Sequence, residues 1–400
     1  MPALRRISAT NFRSLKKVDV ELGALNVLVG PNEAGKSNFL DLIEFLGDSA
    51  RLDLAGAVRA RGGLERVRFR GGDVGTGAVS VHVWANVTRY SSETAPDEYD
   101  LRFWSRKLPG MESRSILVRN EEFRFKRTAG RGRRITVGGD RVELVDWKGD
   151  RETSQRELAL KSDSLALSTL TRLPDAQGGD EVRRFADLFT TFRVFNVDVE
   201  RARKPGRVGD GGLASDASNL ASSLQKLNEH PQIWADLLDD ARAMIPGFEN
   251  LIFEAVGGSE VAVAVKLVER GLRDETYLAD ASFGTIRLLA LLALLYDPDP
   301  PAITCIEEID HGLHPYVFDR LVERLREASK RTQLLVATHS PPLVNRLRPE
   351  ELLVTERALD GSTRLPAVDA AEIAAQEAAA EGLLQLGELW FSGSLGGVPR

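Results

Sequence analysis

The residues with the most chemical content form one unbroken run, Gly30, Pro31, Asn32, Glu33, Ala34, Gly35, Lys36 and Ser37. The run matches G-x-x-x-x-G-K-[ST] without a gap. The apolar stretch Leu25-Asn26-Val27-Leu28-Val29 precedes it, and Phe39, Leu40, Leu42, Ile43 and Leu46 follow at helical spacing. Strand, glycine loop and helix together make a phosphate cradle, because loop amides turn inward and the helix N-terminus favours negative charge. In that arrangement Lys36 reaches the β- and γ-phosphates of a nucleotide and Ser37 holds Mg²⁺. Asn38, the next helical residue, belongs to the same nucleotide contact.

A second constellation is Ile303-Thr304-Cys305-Ile306-Glu307-Glu308, an apolar strand ending in two carboxylates. Burying such a pair is costly unless the acids face a cation or a polar ligand. Side chains alternate on a strand, so the two acids are expected to differ in role, one serving Mg²⁺ and the other an attacking water. Some thirty residues on, Leu334-Leu335-Val336-Ala337 delivers His339, and a parallel sheet would put its tip on the edge of the phosphate loop. Ser282-Phe283-Gly284-Thr285-Ile286-Arg287 opens an apolar helix and reads by itself as a helix cap. A rival reading gathers Glu307, Glu308, Asp310, His311 and His314 as a metal site. Gly312 and Pro315 oppose it by suggesting a loop, in which His314 orders the turn.

The elements needed to position these groups are legible in outline. Alternating segments at 6–12 and 18–22 open the chain, and short alternating segments over 71–147 predict a β-rich lobe. A helical region is expected from Ser154 to about Ala243, interrupted by a glycine-rich connector at 204–212. Strands near 302–306 and 334–337 then alternate with helices starting near Thr285, Pro315 and Pro341, which argues for a covered, mostly parallel sheet. The expected division is 1–70 with the phosphate loop, 71–150 as β-rich lobe, 151–250 as helical subdomain, and 251–400 with the acids and the histidine.

Composition adds limits. A net charge of -6 gives no global pull toward nucleic acid, so such contact needs a local patch. Arg124-Phe125-Lys126-Arg127 with Arg131, Arg133 and Arg134 is the candidate for DNA or RNA. The single cysteine, Cys305, excludes an internal disulfide and points to the cytoplasm. No apolar run reaches the ~18 residues of a membrane span, so no membrane partner is expected.

The order of these motifs resembles the ABC-type ATPases of the AAA_21/OLD-like group, related to RecF and SMC proteins. Asn11-Phe12-Arg13-Ser14-Leu15, the Ser282 to Arg287 stretch, and Glu307-Glu308-Ile309-Asp310-His311-Gly312-Leu313-His314-Pro315 are similar to that group's motifs. The resemblance implies an α/β ABC-type P-loop NTPase head with an inserted β-rich lobe and a helical subdomain. It implies an ATP-driven homodimer or higher oligomer in which Ser282 and Gly284 of one subunit face the nucleotide held by Lys36 and Ser37 of the other. By the same resemblance Glu307 binds Mg²⁺, Glu308 is the general base, Asp310 belongs to the D-loop and His339 meets the γ-phosphate. ATP hydrolysis would then control a separate effector, a nuclease or toxin in DNA repair or antiphage defence. A nucleotide-gated scaffold with little turnover is the alternative. About 60 residues follow Ser340, too few for the Toprim nuclease domain of OLD proteins. Glu33 and Phe283 occupy positions where the group often carries glycine or another small or polar residue, and Glu307 replaces its more usual aspartate. No glutamine occurs between Lys36 and Trp147, so the Q-loop has only Gln155 and Gln177 as candidates.

Overall fold

The protein is described by a computed structural model over residues 3–71, 77–108, 111–126, 131–149, 151–160, 164–207, 212–257 and 262–396. A five-stranded sheet runs in the order Arg193–Phe195, Ile303–Ile306, Gln333–Thr338, Leu25–Val29, Leu352–Val354. All four pairings are parallel. Leu25–Val29 and Gln333–Thr338 are buried at every position, the pattern expected where both faces of a parallel sheet are covered. Their side chains alternate between two cores. Leu25, Val27, Val29, Leu334 and Val336 pack with the helices Leu220–Asn228, Pro231–Met244, Phe283–Leu295 and Phe318–Ala328. Leu28, Leu335 and Ala337 pack with Lys36–Ala60 and a second, antiparallel sheet.

That second sheet has eight strands, ordered Leu15–Glu21, Leu4–Phe12, Val79–Ala85, Asp97–Leu108, Met111–Phe125, Arg131–Gly138, Arg141–Gly149, Arg151–Ala159. Strand pairing crosses three of the expected divisions. Leu15–Glu21 pairs with Leu4–Phe12, and Leu4–Phe12 pairs with Val79–Ala85 of the β-rich lobe, so the division at residue 71 falls inside one sheet. The region expected to be helical from Ser154 begins as strand through Ala159, because cross-strand pairing with Arg141–Gly149 outweighs a sequence that tolerates helix. Phe248–Val256 and Ala262–Glu269 form a hairpin across the expected division at residue 251, and Gly206–Arg207 of the connector joins it as a strand. Residues 208–211 of that connector lie outside the described residues. No helix among the described residues is long and apolar enough to cross a membrane.

Helix Phe283–Leu295 is buried from Ile286 to Leu295, a core helix rather than an amphipathic surface one. Its exit is pinned by Asp240, which is 0% exposed. Asp240 accepts hydrogen bonds from Tyr296 Oη at 2.7 Å, Arg320 Nε at 2.5 Å and Arg324 Nε at 2.7 Å. One carboxylate thus joins three helical segments. Hydrogen bonds to a charged group contribute about 1.5–3 kcal/mol each, and part of this is lost to solvated guanidinium groups here. Asp240→Ala is expected to lower stability by about 2 kcal/mol, read as an earlier urea midpoint. An unchanged midpoint would show that the helices hold their packing without this link.

Candidate nucleotide-binding site

Three strand tips converge because the parallel register places Val29 opposite Thr338 and Val336 opposite Ile306. Beyond them lies a cleft of about 520 Å³ lined by Asn32, Glu33, Gly35, Lys36, Ser37, Asn38, Glu307, Glu308 and His339, with Ser14, Ala337 and Arg357. The phosphate loop connects strand Leu25–Val29 directly to helix Lys36–Ala60. Gly35 has φ 108°, and a Cβ there would lie 1.9 Å from Thr363 Oγ1. Only glycine fits. Glu33 adopts φ 63°, a left-handed conformation, which gives a physical reason why a glycine is usual at that position. Its carboxylate pairs with Arg357 at 2.8 Å.

Lys36 is 6% exposed, and its Nζ donates to Gly30 O at 2.8 Å and Pro31 O at 2.9 Å. Burial lowers its pKa to about 8, opposed by the charges of Glu308 and Asp310. His339 Nδ1 lies 3.4 Å from the same Nζ. Burial and the Lys36 charge push the imidazole below its ordinary value, so at neutral pH it is an uncharged hydrogen-bonding group.

The two carboxylates depart from the expected alternation. The strand ends at Ile306, and Glu307 and Glu308 both lie past it, lining the same cleft. A left-handed turn at Glu308, φ 46°, separates them. Glu307 is the more enclosed: burial raises its pKa, while a hydrogen bond from Ser37 opposes the rise. A hydroxyl beside a carboxylate is a hard oxygen donor set, and Mg²⁺ fits Ser37 and Glu307 by that chemistry. Glu308 is the solvent-facing acid, with its carboxylate 3.3 Å from His311 Nδ1.

Other candidates fall elsewhere. Ser282 caps helix Phe283–Leu295 by accepting from Thr285 N at 3.1 Å, and neither it nor Gly284 lines this chain's cleft. Asp310 turns inward, its Oδ1 accepting from Thr338 Oγ1 at 2.5 Å and His339 N at 3.3 Å. Through these bonds it braces the histidine strand, and it is not among the residues that line the cleft. His314 accepts from Tyr316 N at 3.4 Å in the turn before Phe318–Ala328. In the arginine-rich lobe, Arg124 bonds Glu122 and Glu98, and Arg133 bonds Asp146 and Glu181. Much of that positive charge is neutralised within the sheet, and Arg127 lies outside the described residues.

Sequence reasoning missed two contributors. Arg287, 2% exposed, donates through Nη2 to Glu307 O at 3.1 Å and Glu308 O at 2.5 Å. It fastens the acid turn to the capped helix. Asn196, at the tip of Arg193–Phe195, donates Nδ2 to Glu307 Oε2 at 3.3 Å. The strand carrying it pairs with the acid strand, which brings this amide beside Glu307. Gln177 does not line the cleft, and the side chain of Gln155 lies outside the described residues. Only an unusual Asn following a short apolar run could have signalled Asn196.

A family model described as "AAA domain, putative AbiEii toxin, Type IV TA system" matches residues 25–345. The chain belongs to this family. Among curated proteins, this AAA_21 chain is 30% identical over 141 residues to "Retron Ec83 probable ATPase" of Escherichia coli, covering 32% of this chain and 26% of that protein. It therefore aligns with about a quarter of the relative's length. Two solved structures share its fold at 14% identity and TM-score 0.53. One is an SMC head bound to the C-winged helix domain of ScpA, covering 91% of this chain and 97% of that chain. The other is an SMC head with an extended coiled coil bound to the C-terminal domain of ScpA, derived from Pyrococcus furiosus, covering 95% and 99%. The fold is that of an α/β ABC-type P-loop ATPase head.

Removing the Asn196 amide should loosen Glu307. Asn196→Ala is expected to raise the Mg²⁺ concentration for half-maximal ATP turnover about 10-fold, the scale for losing a partner that orients a metal ligand. A Mg²⁺ titration at saturating ATP checks this, and an unchanged midpoint would remove Asn196 from the site.

Proposed function

We propose that this AAA_21 chain binds ATP with Mg²⁺, closes on a second copy around the nucleotide, and hydrolyses it to switch a separate effector protein. The observation that carries the reading is the convergence of Lys36, Ser37, Glu307, Glu308 and His339 on one cleft. Gly30 through Asn38 would wrap the phosphates, with Lys36 released from its loop carbonyls to the β- and γ-oxygens. Ser37 and Glu307 would hold Mg²⁺, which neutralises phosphate charge when bound. Glu308 would orient and deprotonate water, and His339 would donate to the γ-phosphate. Asp310 acts in this scheme as the support of His339.

The dimer reading rests on Ser282 and Gly284, which cap a rigid core helix yet do not reach this chain's own cleft. A second copy supplies the natural nucleotide for that cap. The effector follows from the family's toxin–antitoxin description and the retron relative, which together favour antiphage defence, with a toxin or nuclease as the controlled protein.

Glu308→Gln keeps size and hydrogen bonding but removes the proton acceptor. Turnover should fall about 10²-fold or more while ATP still binds. Glu307→Gln should instead weaken nucleotide binding in a Mg²⁺-dependent way. Measuring ATP affinity and phosphate release for both across a Mg²⁺ series decides the assignment. Reversed phenotypes would exchange the two acids, and slow turnover insensitive to Glu308→Gln would favour a nucleotide-gated scaffold.

Ser282→Arg places a bulky cation on the surface assigned to the partner's nucleotide. ATP-driven dimerisation, followed by light scattering, should be lost while monomeric ATP affinity stays within about twofold. Dimers that persist with normal hydrolysis would reduce Ser282 to a helix cap.

A further inference from the structure

Phe283 and His311 take no part in the phosphate contacts, yet they touch each other. Their ring centroids are 5.3 Å apart. His311 also makes two contacts with Glu308: its N–H donates to Glu308 O at 3.0 Å, and its Nδ1 lies 3.3 Å from Oε2. At that distance Nδ1 is within ion-pairing reach of the carboxylate, and a protonated Nδ1 needs only a small ring rotation to donate to it. Among the described residues, no other group is in bonding range of that carboxylate.

Such a hold matters at this position. The Glu308 side chain is 59% exposed and projects from a backbone with φ 46°. A carboxylate in solvent samples several rotamers, and each misplacement of a general base by about 1 Å can cost about 10²-fold in rate. The packing behind His311 leaves little slack. Gly312 has φ 70°, and a Cβ there would meet the Phe283 ring at 2.5 Å. The aromatic ring thus fills the space beside the turn that a smaller residue at 283 would leave open. Arg287, one turn along the same helix, fixes the carbonyls of Glu307 and Glu308. The helix therefore holds the acid turn by its backbone through Arg287 and by its side chain through Phe283 and His311.

We infer that His311 is a positioning residue for the Glu308 carboxylate, itself held by the Phe283 ring, so that the Ser282-Phe283-Gly284 cap orients the general base of its own chain. This rests on the reading of Glu308 as the base. Phe283 is 40% exposed and stands between the two residues assigned to the partner's nucleotide. A nucleotide engaged by the cap thereby bears on the ring that sets His311. The departure from a small residue at 283 and the histidine at 311 form one device.

Steady-state ATP hydrolysis and ATP-driven dimerisation by the full chain test this with His311→Ala, His311→Asn, Phe283→Ala and Phe283→Tyr. His311→Ala should lower kcat about 10- to 100-fold with the ATP KM and dimerisation within about twofold, and Phe283→Ala should lower kcat to a similar extent. His311→Asn, whose Nδ2 can replace the Nδ1 donor, and Phe283→Tyr should recover most of kcat. His311→Ala added to Glu308→Gln should cost nothing further, because a residue acting through Glu308 has nothing left to position. An unchanged kcat in His311→Ala, failure of asparagine to rescue, or a full additional loss in the double variant would each overturn the inference. If Glu308→Gln itself leaves turnover unaltered, it is the reading of Glu308 as base that fails.

Discussion

The parallel register of Leu25–Val29, Gln333–Thr338 and Ile303–Ile306 is the constraint on which the cleft depends. Backbone ladders fix neighbouring strands about 4.8 Å apart, so the loop, the acid turn and the histidine emerge within reach of one another. The ladder in turn requires both sheet faces to be covered. Helices including Phe283–Leu295 cover one face, and Lys36–Ala60 with the antiparallel sheet covers the other. The apolar runs that read as buried strands are thus the reason a cation and two acids meet at one edge.

Several functional groups are held by residues far away in sequence. Thr363 Oγ1 donates to Ala34 O at 2.9 Å and lies 2.7 Å from Ser14 Oγ, while Asn38 Nδ2 donates to Ser14 Oγ at 2.6 Å. The turn after the first strand and a late hairpin therefore brace the phosphate loop. Left-handed backbone at Glu33 and Glu308 costs about 1–3 kcal/mol each and persists because the surroundings determine it. At Glu308 those surroundings are Arg287 and the packed ring beside Gly312.

Buried charge follows the same economy of contacts. Arg287 is enclosed with its Nη atoms directed at the carbonyls of Val197, Glu307 and Glu308, and burial depresses its pKa while Glu308 and Asp310 oppose that. An always-cationic group placed behind two acids stabilises their shared turn without occupying the cleft. Asp310 likewise spends its carboxylate on the histidine strand. Acid motif, histidine and capped helix consequently behave as one packed unit.

The sequence by itself determined the phosphate loop, the buried strands around it and the presence of acids and a histidine near their ends. Those features are local: glycine spacing, continuous apolar runs and residue types within a few positions of Lys36, Glu307 and His339. Tertiary structure alone decided that residues 4–21 share a sheet with the later β-rich segment, because strand pairing across 60 or more residues leaves no local mark. It also decided that Asn196 bonds Glu307, that Asp310 bonds the histidine strand, and that a left-handed turn rather than strand alternation separates the acids. Each depends on which side chains the packed sheet brings within hydrogen-bonding distance, and that distance is set by long-range register rather than by spacing along the chain.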